Sequence, residues 1–378
     1  MKVQAWRDIF LTNKATELSG RYITLDHIEP LIKRYGAMAE IKVIGSSVQR
    51  RPIYALQCGK GPVKILMWSQ MHGNESTTTK AVFDLLNTFN STHGSQFLKK
   101  LQITIIPMLN PDGAKRYTRH NANDVDLNRD AKSLSQPESR ALRTIFDKLQ
   151  PDYCFNLHGQ RTIYSAGSQP KSAILSFLAP AENDEREITE TRKKAMSVIV
   201  AMNKSLQQLI PDHIALYSDT YNPNCVGDAF QSLKSITILF EAGHIPGDYS
   251  RERVREYMFI AMVTAIQRIA SRPGSQAKCD EYFSLPQNEE RYFDIIIRNT
   301  ASDDDLAIQY QEQLFEDEIT FNPEIVQIGN LDNSYGHREI DARGKAVKGL
   351  KNELLKVGYA NDCVRLNNEL FSLKLIIS

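Results

Sequence analysis

His72 and Glu75, in the run SQMHGNEST, directly follow VKILMWS, a nearly unbroken apolar stretch. An imidazole and a carboxylate at this spacing can grip one metal ion from a single turn of chain. Other apolar runs end in the same way: LQITIIPML leads to Asn110-Pro-Asp-Gly113, YCFNL to His158-Gly159, and SITILF to Glu241-Ala-Gly-His244. A hydrolytic zinc needs three protein donors and one open position, so His158, arriving from a distant strand end, would close the set begun by His72 and Glu75. Glu241 then supplies a carboxylate able to move a proton. Taken singly, each feature has a plainer reading. A His-x-x-Glu pair arises by chance on solvated surfaces, a lone histidine is usually hydrogen-bonded in an interior, and a strand-end glutamate commonly pairs with an arginine. Buried after ITILF, though, an unpartnered Glu241 would be costly, so it requires a partner or a role.

The elements that must position these residues follow from the same runs. They are too short and too β-branched for helices and too uniformly apolar for a half-exposed sheet, so they read as central strands covered on both faces. Ligands of open α/β sheets collect at the carboxyl ends of such strands. LDHIEPLIKRYG reads as a short amphipathic helix, followed by two strands, EIKVIGSS and PIYALQCG. TTTKAVFDLLNTF puts Val82, Leu85, Leu86 and Phe89 on one helical face, and SQPESRALRTIFDKL opens with a Ser135-x-x-Glu138 capping box and Pro137 in its first turn. Two longer helices are expected, EREITETRKKAMSVIVAMNKSLQQLI, stopped by Pro211, and SRERVREYMFIAMVTAIQRIA, stopped near Pro273. The alternation predicts an α/β fold, a largely parallel or mixed central sheet flanked by helices. After SRPGSQAKCD the pattern changes. YFDIIIRN, LAIQYQEQ and EITFNPEIVQIG are strand-like, while GKAVKGLKNELLKVG reads as a helix. The expected division is therefore a catalytic domain over residues 1–277 and a small, mostly β domain over 278–378.

Bulk properties exclude more than they assign. Lys+Arg 46 against Asp+Glu 45 gives no electrostatic case for nucleic acid or an anionic membrane. No run approaches the roughly 18 apolar residues of a membrane span. The 5 cysteines are scattered and never form a CxxC pair, which argues against a disulfide framework and a thiolate zinc site. MKVQAWRDIFLTNK lacks the apolar core of a secretory signal, so the expected compartment is the cytoplasm.

Together, His72-Gly-Asn-Glu75, NPDG at 110–113, TRHNANDVDLNRD at 118–130, FNLHG with His158 and ILFEAGH with Glu241 resemble, in kind and order, the zinc carboxypeptidase family, metallopeptidases of the carboxypeptidase A type. The resemblance spans roughly residues 65–245. It implies that zinc is held by His72, Glu75 and His158, and that Glu241 is the general acid/base. Arg119 aligns best with the arginine that stabilises the oxyanion, with Arg116 left open beside it. Asn128 and Arg129 match the pair that holds a substrate's terminal carboxylate, for which a planar guanidinium is a natural partner. Tyr217 and Tyr221 both qualify as the substrate-capping tyrosine. Asp130 departs from the family's usual continuation and is expected to bring a negative charge near the substrate. Asp112 and Gly113 read as turn residues, and His244 as either a support of the site or a structural histidine. The implied activity is hydrolysis of a peptide's C-terminal amide bond, the partner being a peptide or small amide with a free carboxylate. The alternatives are a zinc-dependent deacylase or amidase of N-acylated amino acids, and a non-catalytic binding module on the same fold. Loss of a ligand or of Glu241 would mark the latter, and neither is lost.

Overall fold

In the computed structural model, which describes residues 3–367 and 369–375, helices α1 (Val3–Asn13) and α2 (Leu25–Arg34) lead into the hairpin β1 (Ala39–Ser46) and β2 (Pro52–Cys58). Then come β3 (Val63–Ser69), α3 (Thr77–Phe89), the short α4 (Thr92–Ser95), β4 (Leu101–Ile106), α5 (Pro111–Arg116), α6 (Pro137–Leu149) and β5 (Tyr153–Gly159). The chain continues through β6 (Ser165–Ala166), β7 (Leu175–Leu178), α7 (Glu190–Leu206), β8 (Ile214–Leu216), α8 (Val226–Ser232), β9 (Ile236–Ala242) and α9 (Glu252–Ser271).

The main sheet runs β1-β2-β4-β3-β5-β9-β7-β8. Its centre, β4-β3-β5-β9, is parallel, whereas the β1–β2, β2–β4 and β9–β7 pairs are antiparallel. Every residue of β5 and β9 is buried, as their unbroken apolar runs require of strands covered on both faces. Alternate residues feed two cores. Ile65, Met67, Phe155 and Phe240 pack under α1, α3, α7 and α9, while Leu66, Trp68 and Cys154 pack against Leu142 and Phe146 of α6 and Phe230 of α8. An ion pair with no exposure at either side chain, Arg255 Nη2 to Asp84 Oδ1 at 2.6 Å, joins α9 to α3. Arg255 also donates to the carbonyls of Leu18 and Ala15, which draws the chain after α1 into the same joint.

After α9 the chain forms β10 (Asn288–Glu289), β11 (Tyr292–Arg298), β12 (Asp305–Phe315), β13 (Glu318–Gly329), β14 (Tyr335–Asp341), β15 (Val347–Lys348), β16 (Cys363–Leu366) and β17 (Glu369–Ser372). The sheet β13-β12-β11-β14 encloses Ile295, Ile297, Ile308 and Ile325, and β15-β16-β17 contributes Val364 and Leu366 to that core. β10 pairs back onto β6. Among the described residues, no helix is long and apolar enough to cross a membrane.

Several local expectations give way. The capping box at the start of α6 does not form: Gln136 is the cap residue, Ser135 bonds to Asp130, and Glu138 turns inward to accept from the Val48 amide at 3.1 Å. α7 stops at Leu206, before Pro211, and the Gln207 side chain just beyond it accepts from the Asp212 amide. The GKAVKGLKNELLKVG segment is not a helix. Gly344 takes a positive φ, and Val347 and Lys348 are drawn into pairing with Leu366 and Arg365. Asp112 and Gly113 lie inside α5 and not in a turn. Asp112 is fully buried and accepts from Ser47 Oγ and the Gln49 amide, which ties α5 to the β1–β2 connection. α1, absent from the sequence reading, packs by Trp6, Ile9 and Phe10.

Candidate active site

The loop between β3 and α3 carries His72 and Glu75. It is held tightly: the Gln70 side chain donates to the carbonyls of Ile23 and Gly73, each at 2.8 Å. A Cβ on Gly73 would sit 1.9 Å from the Gly113 carbonyl carbon, so only glycine permits this approach of the loop to α5. His158 comes from the end of β5, and the β5–β9 register sets it directly beside Glu241. Imidazole and carboxylate are thereby fixed by the sheet and not by a loop.

His72, Glu75 and His158 are buried, with donor atoms within 4.8 Å of one another, and no other such group of three occurs among the described residues. His72 Nδ1 lies 2.8 Å from Glu75 Oε1, His158 Nδ1 2.9 Å from Glu75 Oε2, and the two Nδ1 atoms are 3.2 Å apart. On its other side His72 Nε2 meets Asp126 Oδ1 at 3.0 Å, which favours the tautomer whose Nδ1 carries a lone pair. Lone pairs from two imidazoles and a carboxylate then converge on one small space. A cation resolves that repulsion, and two nitrogens with one carboxylate suit zinc. The protonation preferences agree: despite burial, Glu75 and Asp126 raise the His72 pKa, and Glu75 is held well below the usual carboxylate range by the two histidines.

Glu241 is buried, and its carboxylate has no hydrogen-bond partner among the described residues. Burial and the neighbouring Glu75 charge push its pKa well above the ordinary range, against the pull of Arg119 and Arg251. It opens on a cavity of 440 Å³ that is also lined by His72, Glu75, Arg119, Asn128 and Arg129. Arg119 is held by Asp126 at 3.0 Å and approaches Glu75 Oε1 at 3.5 Å. Arg116 points elsewhere, to the Asn121 carbonyl, and is not part of the lining. Asn128 Oδ1 accepts from the Val226 amide at 3.0 Å, anchoring this loop to the start of α8. Exposed Arg129 donates to the Asn128 carbonyl at 2.8 Å and to Cys225 Sγ at 3.2 Å. Tyr217 and Tyr221 both line the cavity: the Tyr217 hydroxyl lies 3.5 Å from that of Tyr164, and the Tyr221 hydroxyl 3.3 Å from Ser232 Oγ.

One expectation needs correction. Asp130 brings no charge to the cavity, because it is buried and turned away, accepting from the Ser135 and Gln136 amides at 2.9 Å. His244, left open between a support of the site and a structural histidine, lies behind Glu241. It packs on the Gln160 carbonyl and Arg251, and burial with that arginine holds its pKa well below the usual value. The sequence reading missed Asp126, whose only signal was an acidic residue two positions before Asn128. It also missed Asp228, a buried carboxyl group of the lining that burial pushes up to about 7.

A family model described as zinc carboxypeptidase matches residues 24–224, just over half of the sequence. The chain belongs to the zinc carboxypeptidase family. Among curated relatives of this carboxypeptidase family member, Carboxypeptidase SOL1 of Arabidopsis thaliana is 27% identical over 181 residues, covering 40% of the chain and 37% of the relative. Carboxypeptidase D of Mus musculus is 30% identical over 139 residues, covering 31% and 10%. The chain thus spans well under half the length of the curated relatives it matches. Carboxypeptidase A from Helicoverpa armigera superposes with a TM-score of 0.53 at 14% identity, covering 72% of this chain and 81% of that one. A metallo-carboxypeptidase from Pseudomonas aeruginosa, in complex with (2-guanidinoethylmercapto)succinic acid, gives 0.51 at 16% identity, covering 66% and 68%. At such identities the likeness is one of fold, a mixed central sheet flanked by helices. The zinc of the family suits the His72, Glu75 and His158 donors described above.

Proposed function

We propose that this member of the zinc carboxypeptidase family is a metallocarboxypeptidase, hydrolysing the last amide bond of a peptide whose free carboxylate it grips. One observation carries the reading: His72 and Glu75 of the buried two-histidine, one-carboxylate group, a buried glutamate with no hydrogen-bond partner among the described residues, and an exposed guanidinium all meet at one cavity. His72, Glu75 and His158 would hold the zinc, with Asp126 fixing the His72 ring. A zinc held by them would supply an acidified water and a Lewis acid for the scissile carbonyl. Glu241 takes the proton of the attacking water and returns it to the leaving amine, a task suited to a carboxylate whose proton affinity is raised by burial and by the Glu75 charge. Arg119, restrained by Asp126, meets the charge that develops on the carbonyl oxygen. Asn128 and Arg129 hold the terminal carboxylate, and Tyr217 and Tyr221 enclose the substrate's end from the cavity wall. Residues 278–378 are read as an appended domain, supported by the separate apolar core around Ile295, Ile308 and Ile325.

The test compares kcat/KM for one peptide as free acid and as C-terminal amide. Amidation is expected to remove most activity, and Arg129→Lys to be nearly as damaging as Arg129→Ala, because an ammonium cannot reproduce the planar fork. Zinc content stays unchanged in both variants. Equal cleavage of acid and amide by the unmodified protein would discard the carboxypeptidase reading in favour of an amidase or deacylase with another anchor.

A further inference from the structure

Glu312 belongs to β12 of the C-terminal sheet, yet its carboxylate ends among residues of the main domain. Its side chain is only 8% exposed. Arg21 Nη2 donates to both of its oxygens at 2.9 and 3.0 Å, Tyr117 Oη donates at 2.7 Å, and Arg161 Nε stands at 3.9 Å. Each partner leads directly to the candidate active site. The Arg21 carbonyl accepts from Ser76, the residue after Glu75. Tyr117 ends α5 two residues before Arg119, capping the helix in a left-handed conformation with a φ of 55°. Arg161 lines the 440 Å³ cavity and also a smaller cleft of 210 Å³ that it shares with Arg21 and Glu312.

A fourth group sharpens the point. Arg251 donates to the carbonyls of Ala242 and Gln160, just beyond Glu241 and His158, and has no carboxylate partner of its own among the described residues. Burial, with Arg21 nearby, lowers its pKa to about 9, and Glu312 is the acidic group that opposes this. Three guanidinium groups thus border the catalytic centre, Arg21 and Arg251 buried behind it and Arg161 on the cavity wall, and Glu312 is the carboxylate that answers them. A buried cation left without such a partner would be strongly unfavourable and would seek another.

We propose that Glu312 is a positioning residue through which the C-terminal sheet holds Tyr117, and with it the segment carrying Arg119, while balancing the arginines behind Glu241. This rests on the carboxypeptidase reading of the site. The role is one of geometry at the oxyanion and not of metal retention or carboxylate capture, so its loss should fall on turnover and spare ground-state binding.

The experiment uses the full zinc-loaded chain and compares Glu312→Gln, Glu312→Asp and Tyr117→Phe with the unmodified protein. It measures zinc per chain, kcat and KM on a free-acid peptide, and the affinity of a peptide phosphonate that mimics the oxyanion beside that of the free product amino acid. For Glu312→Gln, kcat is expected to fall at least about 10-fold with KM within about 2-fold and zinc unchanged. Phosphonate affinity should fall in parallel with kcat, and product affinity should not. Glu312→Asp should recover part of the loss, and Tyr117→Phe should show a smaller loss of the same kind. Unchanged kcat in Glu312→Gln overturns the proposal, as does a loss that merely tracks missing zinc. Should Glu312→Gln fail to fold, Tyr117→Phe decides, and normal turnover in it overturns the proposal. If the unmodified protein cleaves no peptide and ignores the phosphonate, the carboxypeptidase reading falls and this inference with it. If it cleaves normally and the variants do too, only the inference falls.

Discussion

His72 works with two faces. Its Nε2 is committed to Asp126 at 3.0 Å, so its Nδ1 is left to face Glu75 and His158. The facing side was legible in the sequence, because a His-x-x-Glu spacing after an apolar strand is local information. The committed side was not, since Asp126 lies 54 positions away and only the fold brings it near. Glu241 was legible in a different manner: a carboxylate directly after ITILF had to be compensated or used, and the structure provides no hydrogen-bond partner for it among the described residues. Replacing that carboxylate with its amide separates binding from chemistry. Glu241→Gln should keep one zinc per chain and the wild-type unfolding midpoint, yet lose at least about 10²-fold in kcat, the usual scale for a missing general acid/base. Zinc analysis and steady-state kinetics on the same preparation decide it, and turnover near normal would remove Glu241 from the reaction. Asp130 shows the limit of reading a motif by analogy. Its charge was expected beside the substrate, but amides two turns of chain away claim it first.

At the scale of elements, the strands were read well because burial on both faces imposes composition on them, as in β5 and β9. Helix ends were read less well. The Ser135-x-x-Glu138 signal was outcompeted because Glu138 has better partners in the Val48 amide and Asn121. GKAVKGLKNELLKVG has helical periodicity, but its first residues complete a small sheet through pairing that no local pattern encodes. The joint between α3 and α9 is equally invisible locally, for Asp84 and Arg255 are 171 positions apart and both fully buried. Removing one partner strands a charge in the interior, so Asp84→Ala should destabilise the protein by about 3–5 kcal/mol. Denaturant unfolding measures this. Asp84→Leu combined with Arg255→Met should recover much of the loss, and a double variant no better than the single one would mean that the pair is not the source.

For the whole molecule, the least legible feature is the contact between the C-terminal sheet and the main domain. In LAIQYQEQ, Glu312 reads as the wet face of an ordinary strand, and only Arg21, 291 positions earlier, makes its burial tenable. That contact gives the molecule an acid limit. Although burial opposes it, Arg21, Arg161 and Arg251 lower the Glu312 pKa to about 2, against roughly 4.3 in an unfolded chain. The resulting stabilisation is complete above pH 4.3 and is lost as pH falls from there towards 2, amounting to about 3 kcal/mol. Unfolding midpoints at pH 6 and pH 3 should therefore draw closer together in Glu312→Gln than in the unmodified protein, and equal spacing in both would contradict the assignment. The pairing of His158 with Glu241 across β5 and β9 has a different kind of consequence, one for descent and not for stability. Since hydrogen bonds between neighbouring strands set that pair, the long crossover between them can gain or lose residues over evolutionary time without disturbing the reactive centre. A single deletion inside Ile236–Ala242 has no such latitude, because one step of slippage would turn Glu241 to the opposite face of the sheet. Lineages of this chain are thus free to remodel what they recognise while the chemistry underneath stays locked to a ladder of peptide groups.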